Sequence, residues 1–175
     1  MRPLPRLTAD CSACAALCCM ALPFDRGDDF ARDKPALHPC PHLHGGFGCG
    51  IHAGLTDAGY GGCARYDCKG AGQRVMRELF PDADWWRDPG LRAPLADAFA
   101  TMRRIHEALV LLNAARALPL PAPLAEDREA LIALFHPPAD WTPATLAAFD
   151  LPGANRGLTA FLRALRAHVP GRTRG

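Results

Sequence analysis

Eight cysteines fall within the first 68 residues of this 175-residue chain, and none follow. The densest group reads Cys11-Ser-Ala-Cys14-Ala-Ala-Leu-Cys18-Cys19; Cys40, Cys49, Cys63 and Cys68 come after it. Glycine crowds the same stretch, at Gly45-Gly46, Gly48, Gly50, Gly54, Gly59, Gly61-Gly62, Gly70 and Gly72. Such a segment has few aliphatic side chains to bury and many positions suited to tight turns, so packing alone rarely orders it. Metal ligation can supply the missing stability, because binding to a site absent from the unfolded chain adds directly to folding. Thiols this dense hold a metal or an iron–sulfur cluster, work as a redox pair, or are joined as disulfides.

Compartment bears on that choice. The opening stretch, Met1 to Asp10, shows neither an apolar core nor a small-residue cleavage site, so it does not read as a secretory leader. The apolar run Ala108-Leu-Val-Leu-Leu112 is far short of the roughly 20 residues a membrane helix needs. A cytoplasmic chain without a membrane partner is expected, in which thiols stay reduced and metal binding is favoured over disulfides. Net charge is +2, and no basic patch points to nucleic acid. Arg163, Arg166, Arg172 and Arg174 read as a solvated helix face and a chain end.

The chain divides near residue 72. The expected fold is mainly α: a small, irregular, metal-stabilised domain over residues 1–72, packed on a helical bundle over 73–175. In the second half, apolar stripes and prolines mark helices over 73–80, 95–118 and 124–135. Thr142-Pro143 is a good cap and first-turn pair for a further helix through Phe149, and a last one runs from about Asn155 to Ala167. Short links between them suggest an antiparallel bundle.

Candidate ligands are all in the first half. On a helix, Cys11, Cys14 and Cys18 lie within roughly 60° of one another, while Cys19 sits about 100° round from Cys18. Three thiolates then converge and Cys19 points towards a second centre. In the second group, Cys49-x2-His52 with Cys63-x4-Cys68 gives three sulfurs and one nitrogen at zinc spacings. The alternative divides the eight cysteines into two sets of four, with the histidines outside. His38, His42 and His44 flank Cys40 as surface or supporting groups; His106, His136 and His168 receive no role.

Cys11-x2-Cys14-x3-Cys18-Cys19, then Pro39-Cys40-x2-Leu43, then Cys49-x-Ile51-His52, resembles the YkgJ-type cysteine-cluster family. The stretch Asp10 to Val75, with Tyr66-Asp67-Cys68 and Gly70-Ala-Gly-Gln-Arg-Val75, is also similar to the N-terminal segment of some actinobacterial pentapeptide-repeat proteins. The resemblance implies a zinc- or iron-chelating, or iron–sulfur, protein. Three departures stand out. The first group has an x3 gap where the family has x2, His52 replaces a tyrosine, and no pentapeptide repeat follows.

Spacing leaves zinc and iron–sulfur both open, since each takes four cysteines. Copper(I) is a third option for soft thiolates. The family descriptions favour iron–sulfur slightly. No phosphate-binding loop, nucleophile elbow or zinc-protease motif appears. The expected function is therefore metal or iron–sulfur binding in redox, sensing or metal handling. The alternatives are a metal-dependent enzyme with the cluster in its active site, and a zinc-stabilised scaffold for a protein partner.

Overall fold

Leu95, Phe99, Met102, Leu109 and Leu112 recur at three- and four-residue steps or their sums, which places them along one side of a helix. The computed structural model describes residues 2–169, so Arg172 and Arg174 lie outside the described residues. Among those described are seven α-helices: α1 (Leu17–Ala21), α2 (Gly61–Arg65), α3 (Ala71–Glu78), α4 (Arg92–Ala114), α5 (Ala122–Phe135), α6 (Pro143–Ala147) and α7 (Leu151–Leu165). The mainly α expectation holds.

Helix α4 is the central beam. Its apolar side, with Ile105 and Ala108 added, is buried, and it packs against α1, α3, α5, α6 and α7. The helix ends follow local chemistry. Pro123 sits in the first turn of α5, where a missing N–H costs nothing. Thr142 and Thr145 cap each other reciprocally at the start of α6, with N···Oγ1 distances of 2.9 and 3.1 Å. Helix α7 begins four residues before the expected Asn155, because Asp150 accepts from Gly153 N at 2.9 Å and Pro152 fits the first turn.

The largest departure is at the first cysteine group. The expected continuous helix is instead a 3-10 turn over Cys11–Ala13, a break, and then α1. Ala15 and Ala16 have φ of 45° and 51°, the left-handed region, which costs an L-residue roughly 1–2 kcal/mol. The break is held from outside. Trp85, fully buried, donates its indole N–H to Ala15 O at 2.7 Å, and Leu17 and Met20 are buried behind it.

One apolar core joins both halves. It includes Cys14, Leu17 and Met20 from the cysteine-rich stretch, Val75 from α3, Leu95 and Phe99 from α4, and Phe135 and Phe161 from α5 and α7. The position 72/73 falls inside α3. A buried ionic knot lies at the other end of α3: Arg74 donates to both Glu78 oxygens at 3.0 Å and to His136 Nδ1 at 3.1 Å. His136 in turn donates to Pro3 O at 2.9 Å, so the knot fastens the N-terminal segment down.

Candidate metal centre

Cys11 opens the 3-10 turn and Cys14 follows it, Cys18 is the second residue of α1, and Cys68 sits just before α3. All four line one small cavity of about 40 Å³, together with Asp10, Tyr66 and Phe99. The close approach of α3 depends on Gly72, because a Cβ there would overlap the Cys14 sulfur. Burial pushes the Cys14 thiol up to about 12. Burial also raises Cys11, followed by charge on Cys68 and Cys19.

The other four cysteines, Cys19, Cys40, Cys49 and Cys63, are near enough to feel one another's charge. Cys40 N–H donates to Cys19 O at 3.0 Å. Cys49 is brought alongside by the antiparallel bridge between Leu43 and Cys49, closed by Gly50 N–H on His42 O at 2.8 Å. Cys63 is on α2, directly after a small aromatic cluster in which Tyr60 meets Phe24, Phe30 and His42. Burial, with charge on Cys19, Cys40 and Cys49 added, pushes the Cys63 thiol up to about 11. Cys40 is raised by burial first, and then by Cys19 and Cys49.

Cys68 thus lines the cavity of the first group, while Cys63, only five residues away, feels Cys19, Cys40 and Cys49. Cys18 and Cys19 stand at the junction with their sulfurs 3.9 Å apart, and the thiol–thiol contact raises Cys19 strongly. Charge on Cys19 acts on both groups. His52 is exposed on a 3-10 turn over His52–Gly54. His38 and His44 are exposed, and half-buried His42 pairs with Tyr60 Oη at 3.1 Å.

All eight cysteines are free thiols in this structure. Among the described residues, no three Cys, His, Asp or Glu side chains stand close enough as they are to hold an ion. The thiols fall into two neighbourhoods without meeting at coordination distance, so closing on an ion requires the side chains to turn inward. The donor chemistry fits a thiophilic ion. Thiols held protonated by burial are poor nucleophiles, and a cation that displaces their protons relieves their crowding. Tyr66 adds a second sign of fit: its hydroxyl is buried with no hydrogen-bond partner, in the lining of the first cavity, and it feels Cys18, Cys68 and Cys14. An unpaired O–H beside four sulfurs is a donor waiting for a thiolate or sulfide.

Backbone strain gathers on the same loops. The non-glycine residues with positive φ among those described are Ala15, Ala16, Leu37, Phe47 and Lys69, each within three residues of a cysteine. Strained conformations persist where the surroundings over-determine them, and they cluster at functional sites.

Two supporting residues escape a reading of the sequence alone. Lys34 is 3% exposed beside the second group. His106, buried in α4, donates from Nδ1 to Lys69 O at 2.5 Å and so fixes the turn after Cys68. Its position had a signal: it falls four residues after Met102 and seven after Phe99, on the buried stripe.

The chain is 38% identical over 118 residues to YybG of Bacillus subtilis (strain 168), described as an uncharacterized protein. The match takes in 67% of this chain and 42% of the relative, so the chain spans less than half of that protein's length. A match of 118 residues also exceeds the cysteine-rich stretch and takes in part of the helical half. No protein-family model matches the chain, and no solved structure matches it. No described helix is long and apolar enough to cross a membrane.

Proposed function

We propose that this protein binds metal or iron–sulfur centres through two sets of four thiolates, Cys11/Cys14/Cys18/Cys68 and Cys19/Cys40/Cys49/Cys63. The observation that supports the reading is the convergence of Cys11, Cys14, Cys18 and Cys68 on one cavity, with Cys19, Cys40, Cys49 and Cys63 near enough to feel one another's charge. Four thiolates are the full complement of a structural zinc site or of an iron–sulfur cluster. The resemblance to the YkgJ-type family supports the same chemistry. The role is redox, sensing or metal handling in a reducing compartment such as the cytoplasm, where free thiols persist.

When bound, the centre supplies either redox chemistry or a closed structural clamp. The chain's own residues supply the donors, the burial that excludes water from Cys14 and Cys40, and the Tyr66 hydroxyl as a hydrogen-bond donor. A second reading, zinc as the fastening of an interaction scaffold, is favoured by the core shared between the cysteine-rich stretch and the helices.

Elemental analysis with acid-labile sulfide, on anaerobically purified protein, tests both readings together with a visible spectrum. A brown sample with iron and sulfide supports the redox reading. A colourless one with two zinc ions supports the scaffold. Protein without metal or sulfide, which takes up none when reconstituted, sinks both.

A further inference from the structure

The two thiol sets differ in their charged surroundings. Lys34 lies in a short antiparallel bridge with Phe24 and is almost wholly buried. Its ammonium donates to Met20 O at 3.2 Å, Pro35 O at 3.1 Å and His38 O at 2.8 Å. Those carbonyls belong to the residue after Cys19 and to the approach to Cys40. Lysine has three N–H donors, and all three are directed at carbonyls, so the charge is held in place between the two cysteine-bearing segments.

Carbonyls orient an ammonium but do not neutralise it. A buried charge without an opposite charge is costly. Among the described residues no carboxylate pairs with Lys34. The groups whose negative charge would favour it are Cys40, Cys19, Cys18 and Cys63, in that order. Burial opposes that charge, and anionic sulfur restores it. Four thiolates on a divalent ion leave a net charge of about −2, which is the counter-charge this ammonium lacks.

The first set has no comparable buried cation. Cys11 feels the carboxylates of Asp10 and Asp67. The cations on that side are already engaged: Arg6 pairs with Asp10 at 3.2 Å, Lys69 with Asp67 at 2.8 Å, and Arg103 lies over the rings of Tyr66 and Phe99 at 5.5 and 6.0 Å.

We infer that Lys34 is the built-in counter-cation of the Cys19/Cys40/Cys49/Cys63 set and makes that set the tighter of two unequal metal sites. The inference rests on the two-centre reading above. It adds an order of loading: the inner set fills first, and the set with exposed Cys11 fills last and empties first.

Cobalt(II) alone is the probe, titrated anaerobically into the reduced, metal-free full chain and followed by thiolate-to-cobalt charge-transfer absorbance. Wild type is expected to take two equivalents of unequal affinity. Cys11→Ser is expected to abolish the weaker one and Cys63→Ser the tighter one. Lys34→Gln keeps hydrogen-bond donors but removes the charge; it is expected to weaken the tighter equivalent by on the order of 10- to 100-fold and leave the other unchanged. Lys34→Arg, which keeps the charge, should stay near wild type.

If Lys34→Gln moves neither equivalent, or both alike, the inference is wrong. It is equally wrong if the tighter equivalent is the one that Cys11→Ser removes, a test that needs no Lys34 variant to fold. Wild type that takes up no cobalt overturns the two-centre reading itself, before any variant is made.

Discussion

Gly72→Ala isolates the first thiol set from the second. Gly72 is buried in α3, where alanine ordinarily gains about 0.5–1 kcal/mol over glycine. Here the new Cβ would overlap the Cys14 sulfur and touch Cys14 Cβ at 3.5 Å and Phe99 Cε2 at 3.6 Å. Overpacking of this kind costs about 1–3 kcal/mol. The two effects leave a net loss of about 0–2.5 kcal/mol in the metal-free protein. At roughly 2–4 °C per kcal/mol for a chain of this length, Tm falls by no more than about 10 °C. Metal content should change more than stability does. The Cys14 thiol must turn away from the cavity it shares with Cys11, Cys18 and Cys68, so bound cobalt should drop from two equivalents to one. Thermal melts of the metal-free variant and cobalt stoichiometry of the loaded one are the assays. A variant that is more stable than wild type and still binds two equivalents would refute the packing at Gly72 and the membership of Cys14 in the first set.

The other expectations concern stability. His106 is held neutral by burial, its pKa lowered to about 4 from 6.5, so the unfolded chain binds the extra proton between those values. Its contribution is complete above pH 6.5 and is lost as pH falls towards 4, about 3 kcal/mol in all; denaturant melts of the metal-free protein should show a slope that His106→Gln flattens. Ala16→Gly should raise stability by up to about 1 kcal/mol by relieving left-handed alanine, and an unchanged or lower melting midpoint would count against the bend at that residue. Glu78→Ala leaves Arg74, 1% exposed, without its carboxylate; a loss of about 3–5 kcal/mol is expected by urea denaturation, and a loss under 1 kcal/mol would mean that the ionic knot is solvated.

The helical half was largely legible because its signals are local. The stripe from Leu95 to Leu112, the prolines before α5 and the Thr142-Pro143 pair each act within a turn or two of the residue that carries them. Along the cysteine-rich half the controlling contacts are distant. Nothing in Ala15-Ala16 announces left-handed backbone; the bend depends on Trp85, 70 residues on. Cys63 and Cys68 look like one ligand pair by spacing, yet Cys63 is on α2 and Cys68 sits against α3, and only Cys68 lines the cavity it shares with Cys11, Cys14 and Cys18. Lys34 reads as an ordinary surface lysine in Arg-Asp-Lys-Pro, and only the fold shows three carbonyls closing round it.

Phe99 of α4 both lines the cavity under Cys14 and belongs to the core that α4 shares with five other helices. The floor of the first thiol set is therefore the bundle's own principal beam. A sulfur that swings inward or outward there presses on, or releases, the helix that holds the whole assembly in register. The rotamers of those thiols and the packing of the helical half are therefore coupled through a single side chain, Phe99.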